Sequence, residues 1–320
     1  MATAPCGRGR DNAPNVNSRP RRLRAEAVAA LALPWRRGVR RRALAVVAAV
    51  VAAVVAAVVA AGAAAQAPAP DVDVPFVVTP DNVTLAMLEL AAVGPADHLI
   101  DLGSGDGRIV ILAARRFGAT GLGVEIVDDL VRRSRASAVR AGVADRVEFR
   151  TEDLFTTDLS RATVVTMYLL PEVNLRLRPR LLALHPGTRI VSHDYDLGDW
   201  APDRTIVVDV PDKPVGREPR SRLHLWIVPA QVDGLWCGAA APAVALRLRQ
   251  RYQQVEAEVD GVAWRARVDG RRLTLHGPDG RTAVLQAANG FLTVEQSTAG
   301  WPTSLRPAPA GSERCPTAAR

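Results

Sequence analysis

One seven-residue stretch constrains this chain more than any other: Asp101-Leu102-Gly103-Ser104-Gly105-Asp106-Gly107. A short apolar run, His98–Leu102, leads into it, and an apolar-faced helical pattern, RIVILAARRF at 108–117, leads out. A glycine-rich turn joining a strand to a helix points to a parallel sheet whose helices carry the chain back across its faces. The rest of the region keeps that alternation. Strands are read at 121–126, 147–150, 163–169, 189–193 and 223–228, and helices at 81–93 and 128–142. Asp81 or Thr79 is a candidate N-cap for the first helix. The expected fold class is α/β, a Rossmann-like doubly wound sheet.

The spacing inside the turn separates two kinds of cofactor. A dinucleotide fingerprint reads G-x-G-x-x-G and receives a pyrophosphate on its backbone N–H groups. Here Gly103, Gly105 and Gly107 stand at every second position, and an acid, Asp101, closes the preceding strand. An acid there repels a pyrophosphate and suits an ammonium, which argues against a nicotinamide enzyme. Glu125, at the tip of the second strand, is placed to accept both ribose hydroxyls. Asp153, after the third strand, is placed for an adenine amino group. Asp101, Gly103, Ser104, Gly105, Asp106, Gly107, Glu125 and Asp153 are therefore the candidate cofactor residues. Together they resemble the site of the class I, seven-strand methyltransferases, which implies S-adenosyl-L-methionine as cofactor.

A narrower resemblance covers Pro75 to about Asp203. The segments PFVVTP at 75–80, Asp101–Val110, Gly123-Val124-Glu125, TVVTMYLLPEVN at 163–174 and RIVSH at 189–193 are similar to the mitochondrial-type protein-lysine methyltransferases and their bacterial relatives. That family modifies the c-ring protein of ATP synthase and the adenine nucleotide translocase. Family members often have proline where this chain has Val78. The resemblance implies a lysine acceptor on a membrane-associated protein, and it does not reach residues 231–320.

Methyl transfer from a sulfonium is an in-line displacement, so the protein's task is chiefly to align nucleophile and methyl. The acceptor amine has to be neutral; desolvation beside a cation lowers its pKa without a dedicated base. Candidate acceptor-site residues are Tyr168, Glu172 and Asn174, just past the fourth strand, with Thr79 placed to close over the cofactor. Each has a plainer reading as well: Tyr168 as a core residue, Glu172 as a first-turn helix acid. His193-Asp194, ending the fifth strand, either lines the site or is a simple loop pair. The five scattered histidines show no metal-ligand spacing.

The chain's basicity is local. Residues 1–42 hold eleven arginines against Asp11 and Glu26, while the other 278 residues carry thirty basic and thirty-one acidic side chains. The folded part thus has no basic footprint for nucleic acid. Lys213 is the only lysine, a bias that, with the abundant alanine and valine, reads as GC-rich coding. Residues 43–67 are read as a signal peptide or a transmembrane segment, because 43–65 are apolar, follow Arg40-Arg41-Arg42 and end at Ala65-Gln66-Ala67. Translation from Val39 would give a compact version of that signal. The arginines, one pair weakly resembling a twin-arginine signal, would stay cytoplasmic and place the enzyme across the membrane or in the envelope, with a cytoplasmic face as the alternative.

The expected organisation is a disordered basic leader at 1–42, the apolar segment at 43–67, a methyltransferase domain at 71–230, a small antiparallel β module at 231–300 and a disordered tail at 301–320. The β module is inferred from alternating runs, 244–259 among them, separated by Asp260-Gly261, Asp269-Gly270 and Asn289-Gly290. Cys237 and Cys315 either pair or stay free. Three functions are in play: a protein-lysine methyltransferase, a small-molecule or lipid methyltransferase that uses the β module for binding, and an exported binding protein without turnover.

Overall fold

A computed structural model describes residues 77–213, 218–238 and 243–316. The leader and apolar segment at 1–67 lie outside the described residues, and among those described no helix is long and apolar enough to cross a membrane.

The first body is a seven-stranded mixed sheet with helices on both faces. Its elements are α1 Asp81–Leu90, β1 His98–Leu102, α2 Arg108–Phe117, β2 Thr120–Glu125, α3 Asp128–Arg140, β3 Val147–Thr151, β4 Val164–Met167, α4 Pro171–Leu182, β5 Arg189–His193, β6 Arg204–Asp209 and β7 Arg220–Ile227. The strand order is β3-β2-β1-β4-β5-β7-β6. β1 to β5 run parallel, and β7 is antiparallel to both β5 and β6. Central strands covered on both faces read as nearly continuous apolar runs, and all four residues of β4 are buried, Thr166 being the one polar side chain among them. Residues of α1, α2 and α3 share one core with Leu99, Val164 and Val191. Leu177 and Leu181 of α4 join the other, with Ile100, Met167 and Ile190.

β6 is a strand that the sequence reading did not find. It lies at the sheet edge with none of its residues fully buried, so the hydrophobic signal that marks β1 or β4 is missing. The N-cap position of α1 is Pro80, without a side-chain cap, rather than Asp81 or Thr79.

The second body is a closed eight-stranded antiparallel barrel in the order β10-β11-β12-β13-β14-β15-β8-β9. Its strands are β8 Gly234–Gly238, β9 Ala245–Arg251, β10 Gln254–Val259, β11 Val262–Asp269, β12 Arg272–His276, β13 Thr282–Ala288, β14 Phe291–Ser297 and β15 Ser304–Pro307. Inward positions alternate with exposed ones, as in β10, where Val255, Ala257 and Val259 are buried between exposed neighbours. The run 244–259 is two strands joined at Tyr252-Gln253, with Tyr252 at φ 56°. The segment expected to be a disordered tail supplies β15, which closes the barrel between β14 and β8. A disulfide between Cys237 and Cys315 ties that segment to β8.

The barrel meets the sheet at the N-terminal edge of its parallel strands. Trp200 Nε1 donates to Gln253 Oε1 at 3.0 Å, and Gln253 Nε2 donates to the Ala201 carbonyl at 2.6 Å. The Ala230 N–H, just past β7, donates to the Gly270 carbonyl at 2.7 Å. Asp199 receives both Arg251 Nη2 at 2.7 Å and the Tyr252 hydroxyl at 3.2 Å. The glycine-rich loop leaves the opposite edge.

Candidate active site

The loop after β1 turns tightly because its three glycines adopt left-handed conformations, with φ of 74°, 53° and 81° at Gly103, Gly105 and Gly107. A Cβ on Gly107 would lie 2.7 Å from Phe149 and 2.8 Å from Ser134, so no larger residue fits. The loop is pinned to β2: the N–H groups of Gly103 and Ser104 both donate to the Val124 carbonyl, at 3.0 and 2.9 Å. Ser104 is buried without a hydrogen-bond partner for its hydroxyl. Its side chain packs beneath the loop, where a Cβ on Gly123 would meet Ser104 Oγ at 2.7 Å.

Asp101 carries the strongest electrostatic signal. Its carboxylate is 2% exposed and receives Thr166 Oγ1 at 2.7 Å, but no cation faces it among the described residues. Burial pushes its pKa up to about 7, the Thr166 hydrogen bond opposes this, and the charges of Glu125 and Asp106 add to it. A buried carboxylate with one neutral donor is short of a positive charge. A ligand ammonium would supply that charge, whereas a pyrophosphate would worsen the deficit. S-adenosylmethionine fits this donor set on that ground.

Glu125 is held ready by backbone. Its Oε2 accepts the Gly105 N–H at 3.1 Å, and its Oε1 accepts those of Ile126 and Val127 at 2.8 and 3.0 Å. Oε1 is thus already filled, so binding both ribose hydroxyls requires it to release one N–H. Asp153 is exposed in the turn after β3, and its Oδ1 accepts the Phe155 N–H at 2.8 Å. Register brings these groups together: Asp101 pairs with Gly123 and Thr166, and Glu125 with Thr151, two residues before Asp153.

Asp106 works through Arg108, a residue missing from the sequence reading. Arg108 donates to Asp106 at 2.6 Å, to the Thr79 carbonyl at 3.0 Å and to Asp81 at 3.3 Å. Partial burial raises the Asp106 pKa, but the hydrogen bonds and charge of Arg108 hold it below the usual range. Thr79 itself is buried and joins the loop through its carbonyl.

On the acceptor side, Tyr168 is half-buried and stacks on His193 with ring centroids 3.9 Å apart, and on Tyr195 at 6.4 Å. Burial and the nearby Asp194 push its phenol up to about 12, so it stays protonated. His193 is buried; its Nε2 pairs with Ser221 Oγ at 2.8 Å, and its Nδ1 has no partner. Burial pushes it down to about 4, with Asp194 pulling up and Lys213 pushing down, so the ring is neutral. Asn174 is fully buried, and its Nδ2 donates to Ser192 Oγ, Tyr195 O and Asp196 O at 3.2–3.3 Å. That places Asn174 under the β5–β6 loop, holding Tyr195 in position. Glu172 is exposed in the first turn of α4. A groove of about 560 Å³ lies elsewhere, on barrel strands β9–β11 among Arg249, Arg251 and Arg267. Among the described residues no group of His, Cys, Asp or Glu is arranged to hold a metal.

Comparison with known proteins decides the family. The model of the ANTKMT methyltransferase domain matches residues 101–204. A protein-lysine N-methyltransferase of Saccharolobus islandicus (strain REY15A) is 45% identical over 138 residues, which span 42% of this chain and 86% of the relative. The chain belongs to the protein-lysine N-methyltransferase family. It is an S-adenosylmethionine-dependent methyltransferase with a Rossmann-like body. The ATP synthase C-subunit lysine N-methyltransferase of Mus musculus is 37% identical over 108 residues, covering 33% of this chain and 43% of the mouse protein. This chain therefore spans less than half of that enzyme's length. The crystal structure of an RNA methyltransferase from Salinibacter ruber with S-adenosyl-L-homocysteine shares 55% identity, covering 49% of this chain and 96% of that one, with a TM-score of 0.44.

Proposed function

We propose that the protein transfers methyl groups to a lysine side chain of a membrane-associated or envelope protein. The buried, cation-short Asp101 carboxylate carries the cofactor half of this reading, because it calls for an ammonium-bearing cofactor. Kinship with lysine methyltransferases supports the acceptor half.

S-adenosylmethionine, when bound, supplies an electrophilic methyl group on a sulfonium. Asp101 would hold the ammonium of its amino-acid end, Glu125 the ribose and Asp153 the adenine amino group. Arg108 and Asp106 brace the loop against the segment containing Thr79. On the acceptor side, Tyr168, with His193 and Tyr195 stacked on it, would wall a slot that keeps water from an incoming amine, and its hydroxyl oxygen would accept an N–H of that amine, leaving the lone pair free. Glu172 draws an ammonium toward the slot from outside, and Asn174 fixes the wall. The incoming ammonium would first lose a proton to solvent, and the neutral amine, held in line by these residues, would take the methyl group as the sulfonium becomes a neutral thioether.

A small-molecule or lipid acceptor is less supported, since the barrel contacts the edge of the sheet opposite the loop. We place the enzyme at a membrane or in the envelope through its apolar segment at 43–67. The test is methyl transfer from labelled S-adenosylmethionine by the full chain, offered separated membrane proteins, soluble proteins and RNA from the source cells. Label recovered on lysine from a membrane protein is the expected result. Label confined to RNA or small molecules would overturn the lysine reading.

A further inference from the structure

The C-terminal edge of the sheet holds a second sequestered carboxylate that the cofactor residues do not use. Asp194 follows β5 in a left-handed conformation, φ 63°. It is locked to β7 from both sides: its N–H donates to the Arg222 carbonyl at 2.7 Å, and the Arg222 N–H donates to its Oδ1 at 2.9 Å. Its other oxygen receives the ammonium of Lys213 at 2.6 Å, and Lys213 also donates to the Arg220 carbonyl at 2.6 Å. The Lys213 side chain is 9% exposed and that of Asp194 18%.

The surroundings point to a ligand rather than a bare ion pair. His193 Nε2 stands 3.6 Å from the same Asp194 oxygen. His193 Nδ1 is buried with no partner, and the His193 ring lies on Tyr168, the residue proposed above to wall the acceptor slot. A lysine head group thus already sits on a carboxylate beside stacked aromatic rings, at the edge where an acceptor lysine has to arrive.

We propose that Asp194 is the seat for the acceptor's lysine ammonium, and that Lys213 fills this seat until an acceptor displaces it. This rests on the lysine reading above. An ammonium is a compact head with three donors. An incoming lysine can reproduce the bonds that Lys213 makes to Asp194 and the Arg220 carbonyl, so the exchange leaves no buried charge unpaired. Lys213 competes as a tethered group, at high effective concentration, and its removal strengthens binding of an external ammonium.

The probe is n-butylammonium, titrated calorimetrically near neutral pH into the full chain loaded with S-adenosylhomocysteine. Lys213→Met is expected to bind the probe saturably and about tenfold or more tightly than wild type. Adding Asp194→Asn should abolish that binding, and Lys213→Arg, which keeps a cation in place, should behave like wild type. Equal binding by wild type and Lys213→Met, or retained binding in the double variant, would overturn the proposal. If Lys213→Met does not fold, Lys213→Gln carries the same comparison. In turnover with a lysine-bearing acceptor, Lys213→Met should lower KM and Asp194→Asn should raise it; an ion pair of purely structural role predicts neither. Absence of lysine transfer would sink the functional reading and leave the calorimetric comparison to decide this one.

Discussion

Replacing Asp101 with asparagine should make the cofactor-free protein more stable at neutral pH while abolishing cofactor binding. Asparagine keeps an oxygen to accept the Thr166 hydroxyl and removes a charge that the site buries without a cation. The carboxyl's pKa is raised from 3.8 to about 7 on folding, so its contribution to stability is present in full below 3.8 and is lost as pH rises toward 7. A one-unit change in pKa corresponds to about 1.4 kcal/mol. Relative to a side chain that is neutral in both states, the wild type is disadvantaged by about 4 kcal/mol at pH 8 and by about 2 kcal/mol at pH 5. For a protein of this size that is on the order of 10 °C in melting temperature at the higher pH and about half as much at the lower. Thermal unfolding of cofactor-stripped wild type and Asp101→Asn at both pH values measures the gap. Calorimetry with S-adenosylhomocysteine checks that binding is gone. A variant no more stable than wild type at pH 8, or a gap that does not shrink with acidification, would refute the argument that this carboxylate is held at an energetic cost for a ligand's ammonium.

Three further outcomes follow from the same geometry. Cofactor affinity should weaken as pH falls through about 7, by up to about tenfold per pH unit, because a protonated Asp101 must lose its proton to pair with an ammonium; calorimetric titration across that range reads it, and a flat profile contradicts it. Arg108→Ala should loosen both Asp106 and the Thr79 segment, weaken S-adenosylhomocysteine binding several-fold and open the chain to protease near Val78, and Arg108→Lys should not restore it because one ammonium cannot replace the fork. Tyr168→Phe keeps the stack on His193 and removes the hydroxyl, so kcat should fall about tenfold or more with cofactor affinity unchanged; an unchanged kcat would make Tyr168 a packing residue.

What could be read from the sequence was what is local. The strand–loop–helix of residues 98–117 carries its instructions in consecutive positions: an apolar strand, glycines where the backbone turns left-handed, an amphipathic helix. β6 escaped notice because an edge strand has little burial to advertise. The hairpin at Tyr252-Gln253 has no glycine or asparagine to announce it. Its turn is held by tertiary contacts instead, with Tyr252 stacked on Trp200 at 5.8 Å and Gln253 bonded to Trp200 and Ala201. The same division runs through the site. Asp101 and Glu125 stand out by position at strand ends, but Thr166 matters only because β4 lies beside β1. Arg108 matters because α1 brings Thr79 and Asp81 within its reach, and Lys213 because the β6–β7 connection returns it to Asp194. One trace was present in the sequence: Thr166 is a polar residue inside the otherwise apolar run Val164–Met167.

The barrel is joined to the methyltransferase body by more than a linker, and this bears on how it can serve the enzyme. The body has buried Trp200 and Trp226 at the contact, and Trp200 depends on Gln253 of the barrel as acceptor for its indole N–H. Gln253→Ala would leave that N–H and the Ala201 carbonyl without partners, at about 1–3 kcal/mol each. If the two bodies fold as one unit through this contact, wild type unfolds in a single calorimetric transition and Gln253→Ala separates it into two. Two transitions already in wild type would mean that the barrel is an independent passenger. A single coupled transition would mean that the barrel and the methyltransferase body are one folding unit, joined where the loop from Asp194 to Asp203 reaches the contact at Trp200.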